Sequence, residues 1–198
     1  MLNTILKNIS PRYVYFMGLL PFLILVLMAF SNSLGIDPVK KLEHELGDFS
    51  IKFLIFTLAI SPIQEIFKVN LVKYRRALGV LTFFYAMCHF LTWVAFDIQF
   101  IWELLIRDLI KRPYITIGFL AFVGMTPLAI TSNAFFLRKM GPVSWRNLHK
   151  LIYPIGLLAG AHFVMVKKVW EVEAMIYLVM ILTLVGIRFV MRQRKRKS

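Results

Sequence analysis

Three of the four histidines in this 198-residue chain, His89, His149 and His162, lie inside apolar stretches long enough to cross a membrane. An imidazole is costly in hydrocarbon, so an ionisable side chain at that depth is by default a functional one. Neutral imidazole is a metal ligand. Histidines projecting inward from neighbouring helices are one way a bundle holds haem. The fourth, His44, falls in a polar stretch before Gly47 and reads as a solvated loop residue or an alternate ligand near one membrane face.

The elements that must position these residues are membrane helices. Hydrophobic residues make up 59% of the chain and the mean hydropathy is +0.72, well above soluble usage. Six spans are expected, at about 13–30, 49–63, 77–96, 114–132, 148–166 and 174–190, with a basic tail at 191–198. Each is apolar around its whole circumference, as a lipid-embedded helix should be, and none alternates in polarity like a barrel strand. The expected fold class is therefore an all-α integral membrane bundle forming one domain over 1–198. The span at 49–63 is the weakest, being short and carrying Lys52 near one end, where the side chain could snorkel outward. The first span is too long for a signal peptide and no cleavage site follows it. The single cysteine, Cys88, excludes an intrachain disulfide and any multi-cysteine metal centre; inside a span it reads as a small apolar packer.

A net charge of +14 would suggest nucleic acid in a soluble protein. Here the basic residues fall between apolar spans, and no nucleic-acid partner is expected. With the N-terminus in the cytoplasm, sixteen of the 24 lysines and arginines fall on the inner side and seven on the outer. The positive-inside rule then places both termini inside, and the cluster Arg188–Lys197 anchors that topology or docks on anionic lipid. The segment Asp97–Arg112 reads as a short outer interfacial helix, with Glu103–Arg107 and Asp108–Arg112 as i,i+4 pairs and Ile101, Leu104, Leu105, Leu109 and Ile110 towards lipid.

Depth sorts the histidines. His89 is 12 residues into its span and His162 is 14 into its own, or about 18 and about 21 Å at 1.5 Å per residue. Two imidazoles at one level on different helices suit the two axial ligands of one haem. His149 sits about 20 Å from His162 along a straight helix and must serve the inner level. Its counterpart positions on the third span are Arg75 and Arg76. Arginine keeps its proton and is not a usable iron ligand, but it binds a propionate, a phosphate or a quinone carbonyl. The expectation is one well-ligated outer haem. The inner site, near Arg75, Arg76, Trp145, Arg146 and His149, would be a haem with His149 and a weak or absent second ligand, or a flavin or quinone.

Four segments carry a family resemblance: Arg75-Arg76-Ala77-Leu78-Gly79 followed by Phe84-Tyr85 and His89; Arg112-Pro113-Tyr114-Ile115-Thr116-Ile117-Gly118; Pro127-Leu128-Ala129-Ile130-Thr131-Ser132; and Trp145-Arg146-Asn147-Leu148-His149-Lys150-Leu151-Ile152-Tyr153. In order, and across nearly the whole chain, they resemble the MsrQ family, formerly YedZ. These are haem-binding membrane subunits of bacterial methionine sulfoxide reductase systems, related to ferric reductases and NADPH oxidases. The resemblance implies a ferric reductase-like b-type cytochrome of the inner membrane. Its partner would be a periplasmic molybdopterin methionine sulfoxide reductase that repairs oxidised proteins, and its donor the quinone pool or a cytoplasmic flavin reductase. It also implies FMN as a cofactor, and maps the family's haem histidines onto His89, His149 and His162. Where the wider oxidase relatives carry an inner-haem histidine, this chain has Arg75 and Arg76, which argues against a full second bis-histidine haem.

Two other readings compete. A stand-alone haem-dependent ferric or oxygen reductase would need an open iron position. A cofactor-free transporter or scaffold would leave the histidines dispensable, but transporters of that kind often carry paired repeats with broken spans, and the sequence shows no repeat. The residues also lack a nucleophile or acid–base set, so the chain is expected to be an electron-transfer subunit, not catalytic alone towards methionine sulfoxide. No Gly-x-Gly-x-x-Gly segment is present for a nicotinamide. Purified protein without an added reductase is accordingly expected to oxidise neither NADH nor NADPH; robust oxidation by the chain alone would overturn this.

Overall fold

The computed structural model describes residues 3, 6, 8–167 and 171–197, the last three of these by backbone alone. Lys7, Lys168 and Ser198, and the side chains of 195–197, which enter the charge count and the tail above, lie outside what it describes. The helices are α1 (Pro11–Phe30), α2 (Pro38–Phe67), α3 (Arg75–Thr92), α4 (Trp102–Lys111), α5 (Pro113–Ile130), α6 (Ala134–Leu148), α7 (Ile152–Val166) and α8 (Val172–Lys197). A 3₁₀ turn at Val72–Tyr74 leads into α3 and another at His149–Leu151 joins α6 to α7, while a π turn at Trp93–Asp97 ends α3. Among the described residues, six helical stretches are long and apolar enough to cross a membrane.

Helix starts follow local chemistry. Ser10 and Asp37 accept hydrogen bonds from the backbone N–H groups of Arg12 (3.3 Å) and Lys40 (3.2 Å), each with a proline at the first helical position. The Asp37 cap corrects the reading of the second span. The helix begins at Pro38 rather than near residue 49, continues through Pro62, and ends only at Phe67, where Lys68 turns left-handed. Hydropathy registers the apolar window alone; the polar first turns are held by the cap and by a Lys41–Glu45 ion pair at 2.7 Å. His44 is therefore a helical residue and not a loop residue, though it is exposed as expected. The last long stretch before α8 also differs: Gly141, at φ +75° and followed by Pro142, breaks α6, so the run into α7 is not one straight helix.

α2 packs along α3 and α5 along α7; α8 lies against α7 and α2, and α1 covers α3. Leu46, Leu81 and Tyr85 form one core cluster with Leu25, and Ala86, Ala121, Met125 and Ile155 form another between α3, α5 and α7. Cys88 packs against the first of these, as an apolar filler should. Outward faces stay apolar: Phe16, Leu27 and Phe30 on α1 and Ile176 and Val179 on α8 are exposed, as lipid contact requires. Within the spans, hydroxyls fold back on their own helices. Thr57, Thr82, Thr92 and Thr126 each donate to the carbonyl four residues earlier. On one face the N-terminal segment is tied to the start of α3, with Lys73 Nζ 2.7 Å from the Ile9 carbonyl and Asn3 Nδ2 2.9 Å from that of Lys68.

Of the segment Asp97–Arg112, only Trp102–Lys111 forms an α-helix, α4, with Asp108 and Arg112 paired at 3.3 Å. Its facing is only partly as read from sequence. Leu104 and Leu105 pack inward on Trp93, Val94 and Ile98, while Trp102, Ile106 and Ile110 are the exposed apolar side. Arg107 approaches Asp108 at 4.0 Å instead of pairing with Glu103.

Tyr85, fully buried, ties α3 to α1. Its hydroxyl donates to the Gly18 carbonyl at 2.7 Å and accepts from the Phe22 N–H at 3.0 Å. Those two backbone groups would otherwise pair with each other; Pro21, which has no N–H and crowds the preceding turn, opens α1 for the phenol. Tyr85→Phe leaves both groups without a partner and is expected to cost about 1–3 kcal/mol. Thermal denaturation in detergent would check this: an unchanged transition would mean that α1 simply closes on itself.

Candidate haem site

His89 on α3 and His162 on α7 come together, as their matched depths predict. Their ring centres are 6.3 Å apart and their planes 71° apart. Each ring is fixed from behind. His89 Nδ1 lies 2.9 Å from the Glu43 carbonyl on α2, and His162 Nδ1 lies 2.7 Å from the Tyr114 carbonyl on α5. A carbonyl can only accept, so Nδ1 carries the proton in both rings and the Nε2 lone pair is free. This is the tautomer of a metal-bound imidazole whose other nitrogen donates to a second-shell acceptor.

The spacing tests whether an iron fits. Metal–imidazole bonds are about 2 Å; with roughly 1 Å from ring nitrogen to ring centre on each side, two axial imidazoles stand about 6 Å apart. The observed separation meets that requirement. Among the described residues no group of three or more His, Cys, Asp or Glu side chains could hold a metal ion. The two imidazoles thus suit a metal that brings its own equatorial ligands, as haem iron does.

His149 does not join this pair. It stacks on Trp145, with ring centres 3.9 Å apart and planes at 24°, and its Nε2 is 3.0 Å from Thr131 Oγ1. The Thr131 hydroxyl donates to the Pro127 carbonyl at 2.6 Å, so His149 Nε2 is the donor in the shared bond and its free lone pair is on Nδ1. Trp145 also donates to the Thr131 carbonyl at 2.8 Å. The His149 tautomer is thus opposite to that of His89 and His162.

The arginines expected beside His149 divide. Arg75 is half-buried and donates to the Ser61 hydroxyl of α2. Arg188 of α8 donates to the Tyr153 hydroxyl at 3.0 Å, and both Arg188 and Tyr153 lie within electrostatic reach of Arg75. Arg76 and Arg146 are exposed. Of the residues expected there, Arg75 and Trp145 engage partners, and those contacts bring in Arg188, Tyr153, Ser61 and Thr131, which the sequence reading had not singled out as site residues. Arg188 read as part of a basic tail; its position inside the last apolar run was the available signal.

A helical membrane bundle with an inward histidine pair defines a ferric reductase-like transmembrane protein, and the family described as "Ferric reductase like transmembrane component" matches residues 46–160. That region holds Gly47, His89 and Gly118 and stops just short of His162. Closer relatives narrow the class. A protein-methionine-sulfoxide reductase heme-binding subunit MsrQ of Rhizobium meliloti is 42% identical over 182 residues, covering 92% of this chain and 82% of the relative. Those of Brucella anthropi and Agrobacterium fabrum are 42% identical over 164 residues and 36% over 192, covering 82% and 93% of this chain and 74% and 89% of the relatives. The chain belongs to the MsrQ family.

Proposed function

We propose that this chain is a b-type cytochrome of the bacterial inner membrane, the haem-binding subunit of a protein-methionine-sulfoxide reductase system. The observation that carries the reading is the His89–His162 pair, 6.3 Å apart and held in the ligand tautomer by two backbone carbonyls. Haem bound there supplies one-electron transfer. The chain's own residues orient the ligands and exclude water: Glu43 and Tyr114 hold the Nδ1 protons through their carbonyls, and the surrounding spans supply a dry, low-dielectric setting that tunes potential.

Arginine excess on one side supports both termini in the cytoplasm, with the His89–His162 level towards the periplasm. Electrons would then enter at the inner level and leave to a periplasmic molybdopterin methionine sulfoxide reductase, which repairs oxidised proteins. The inner level, with Arg75, Arg188, Tyr153 and the Trp145–His149 stack, suits an anionic or carbonyl-bearing redox group. FMN, a quinone or a haem propionate meets that description, and the quinone pool or a cytoplasmic flavin reductase meets the need for a donor. Residues 1–198 act as one transmembrane domain in contact with lipid. Direct reduction of oxygen at the iron is disfavoured, because a haem held by both His89 and His162 would have no open position for it.

The reduced-minus-oxidised spectrum of detergent-purified protein tests this. Sharp low-spin b-type bands are expected in the wild type, absent in His89→Ala and His162→Ala, and largely kept in His149→Ala. Colourless, folded wild type, or bands that survive in His89→Ala, would overturn it; carbon monoxide binding to reduced wild type would favour the stand-alone reductase.

A further inference from the structure

The two histidines are seated by the same device, built twice. His89 donates to the carbonyl of Glu43, and the residue one turn further along α2 is Gly47. His162 donates to the carbonyl of Tyr114, and the residue one turn further along α5 is Gly118. In each case the imidazole lies over the glycine. A Cβ added at Gly47 would stand 3.3 Å from His89 Nδ1 and 3.5 Å from its Cε1. At Gly118 it would stand 2.6 Å from both His162 Nδ1 and Cε1 and 2.9 Å from Cγ.

The backbone does not ask for glycine at either place. Both lie inside helices, and the glycines with positive φ are Gly35 and Gly141. In a helix interior glycine is less favourable than alanine. What glycine supplies here is the room an imidazole needs to reach a carbonyl on the neighbouring helix.

We propose that Gly47 and Gly118 are positioning residues for the metal-ligating pair, each setting the tilt of one imidazole by letting it rest on bare backbone. The inference rests on the haem reading above. The two seats are unequal. At Gly118 a methyl group overlaps the ring, so His162 must leave the Tyr114 carbonyl or swing its Nε2 off the iron axis. At Gly47 the contact is tight but can be relieved by a few tenths of an ångström, so His89 tilts and stays.

Gly124 provides the control. It lies on the same helix as Gly118, and a Cβ there would stand 3.0 Å from Ile155 Cγ1, an apolar neighbour with no part in ligation. The experiment is optical and redox titration of purified Gly47→Ala, Gly118→Ala and Gly124→Ala beside wild type, His89→Ala and His162→Ala. Gly118→Ala is expected to lose most of the low-spin signal and to bind carbon monoxide when reduced, through the vacated position. Gly47→Ala is expected to keep its haem with a shifted midpoint potential, and Gly124→Ala to match wild type in both spectrum and potential. A wild-type spectrum and potential in both Gly47→Ala and Gly118→Ala, with the histidine variants bleached, would overturn the positioning role alone. Equal losses in Gly124→Ala and Gly118→Ala would also overturn it, by showing a general packing effect. Bands that persist in the histidine variants would remove the haem reading and this inference together.

Discussion

Within hydrocarbon every polar hydrogen must find an acceptor inside the protein, and the arrangement of this bundle follows from where those acceptors are. The imidazoles of His89 and His162 meet the constraint with backbone carbonyls on adjacent helices. That choice has a chemical consequence beyond satisfaction. It fixes the proton on Nδ1, leaves the other nitrogen as a lone pair, and turns each ring so that the lone pair points away from its anchoring helix. Two anchored rings on α3 and α7, backed by α2 and α5, then stand with their centres 6.3 Å apart. The tight α2–α3 and α5–α7 pairings are what bring carbonyl and imidazole into range.

The same constraint is met differently elsewhere, and the differences mark function. The hydroxyls of Thr57 and Thr82 return to carbonyls of their own helices and tie no helix to another. Tyr85 instead opens a turn of α1 and inserts its hydroxyl between two backbone groups, which couples the first span to the helix that carries His89. Around Arg75 and His149 side chains also meet side chains: Arg75 with Ser61, Arg188 with Tyr153, His149 with Thr131.

Much of this was legible in the sequence. Apolar run length located the spans, and counting residues from span starts placed His89 and His162 at one depth. Depth is a one-dimensional quantity, which is why it could be read without knowing which helices touch. The cap that starts α2 at Pro38 was hidden because hydropathy is blind to polar helix turns held by an aspartate and ion pairs. The inward face of α4 was hidden because Leu104, Leu105 and Ile110 are alike in type, and only the neighbouring Trp93 and Ile98 decide which are covered. Arg188 and Tyr153, 35 residues apart, meet across two helices, and no local pattern announces such a pair.

The least legible feature is the one closest to the chemistry. Gly47 and Gly118 have no motif around them in common, and the chain shows no internal repeat; each glycine alone reads as a mild helix defect. Their relation to the histidines appears only when the ring, the glycine and the carbonyl one turn earlier are seen together. A ligand pair needs its rings held from two directions, by a hydrogen bond that sets the proton and by a surface that sets the tilt. A carbonyl provides the first. Bare helix backbone provides the second, because a Cβ would overlap the imidazole at Gly118 and crowd it at Gly47. An arrangement that satisfies both demands with main-chain atoms leaves little freedom for ring rotation, and a redox centre that must change charge without changing geometry is best served by ligands of that kind.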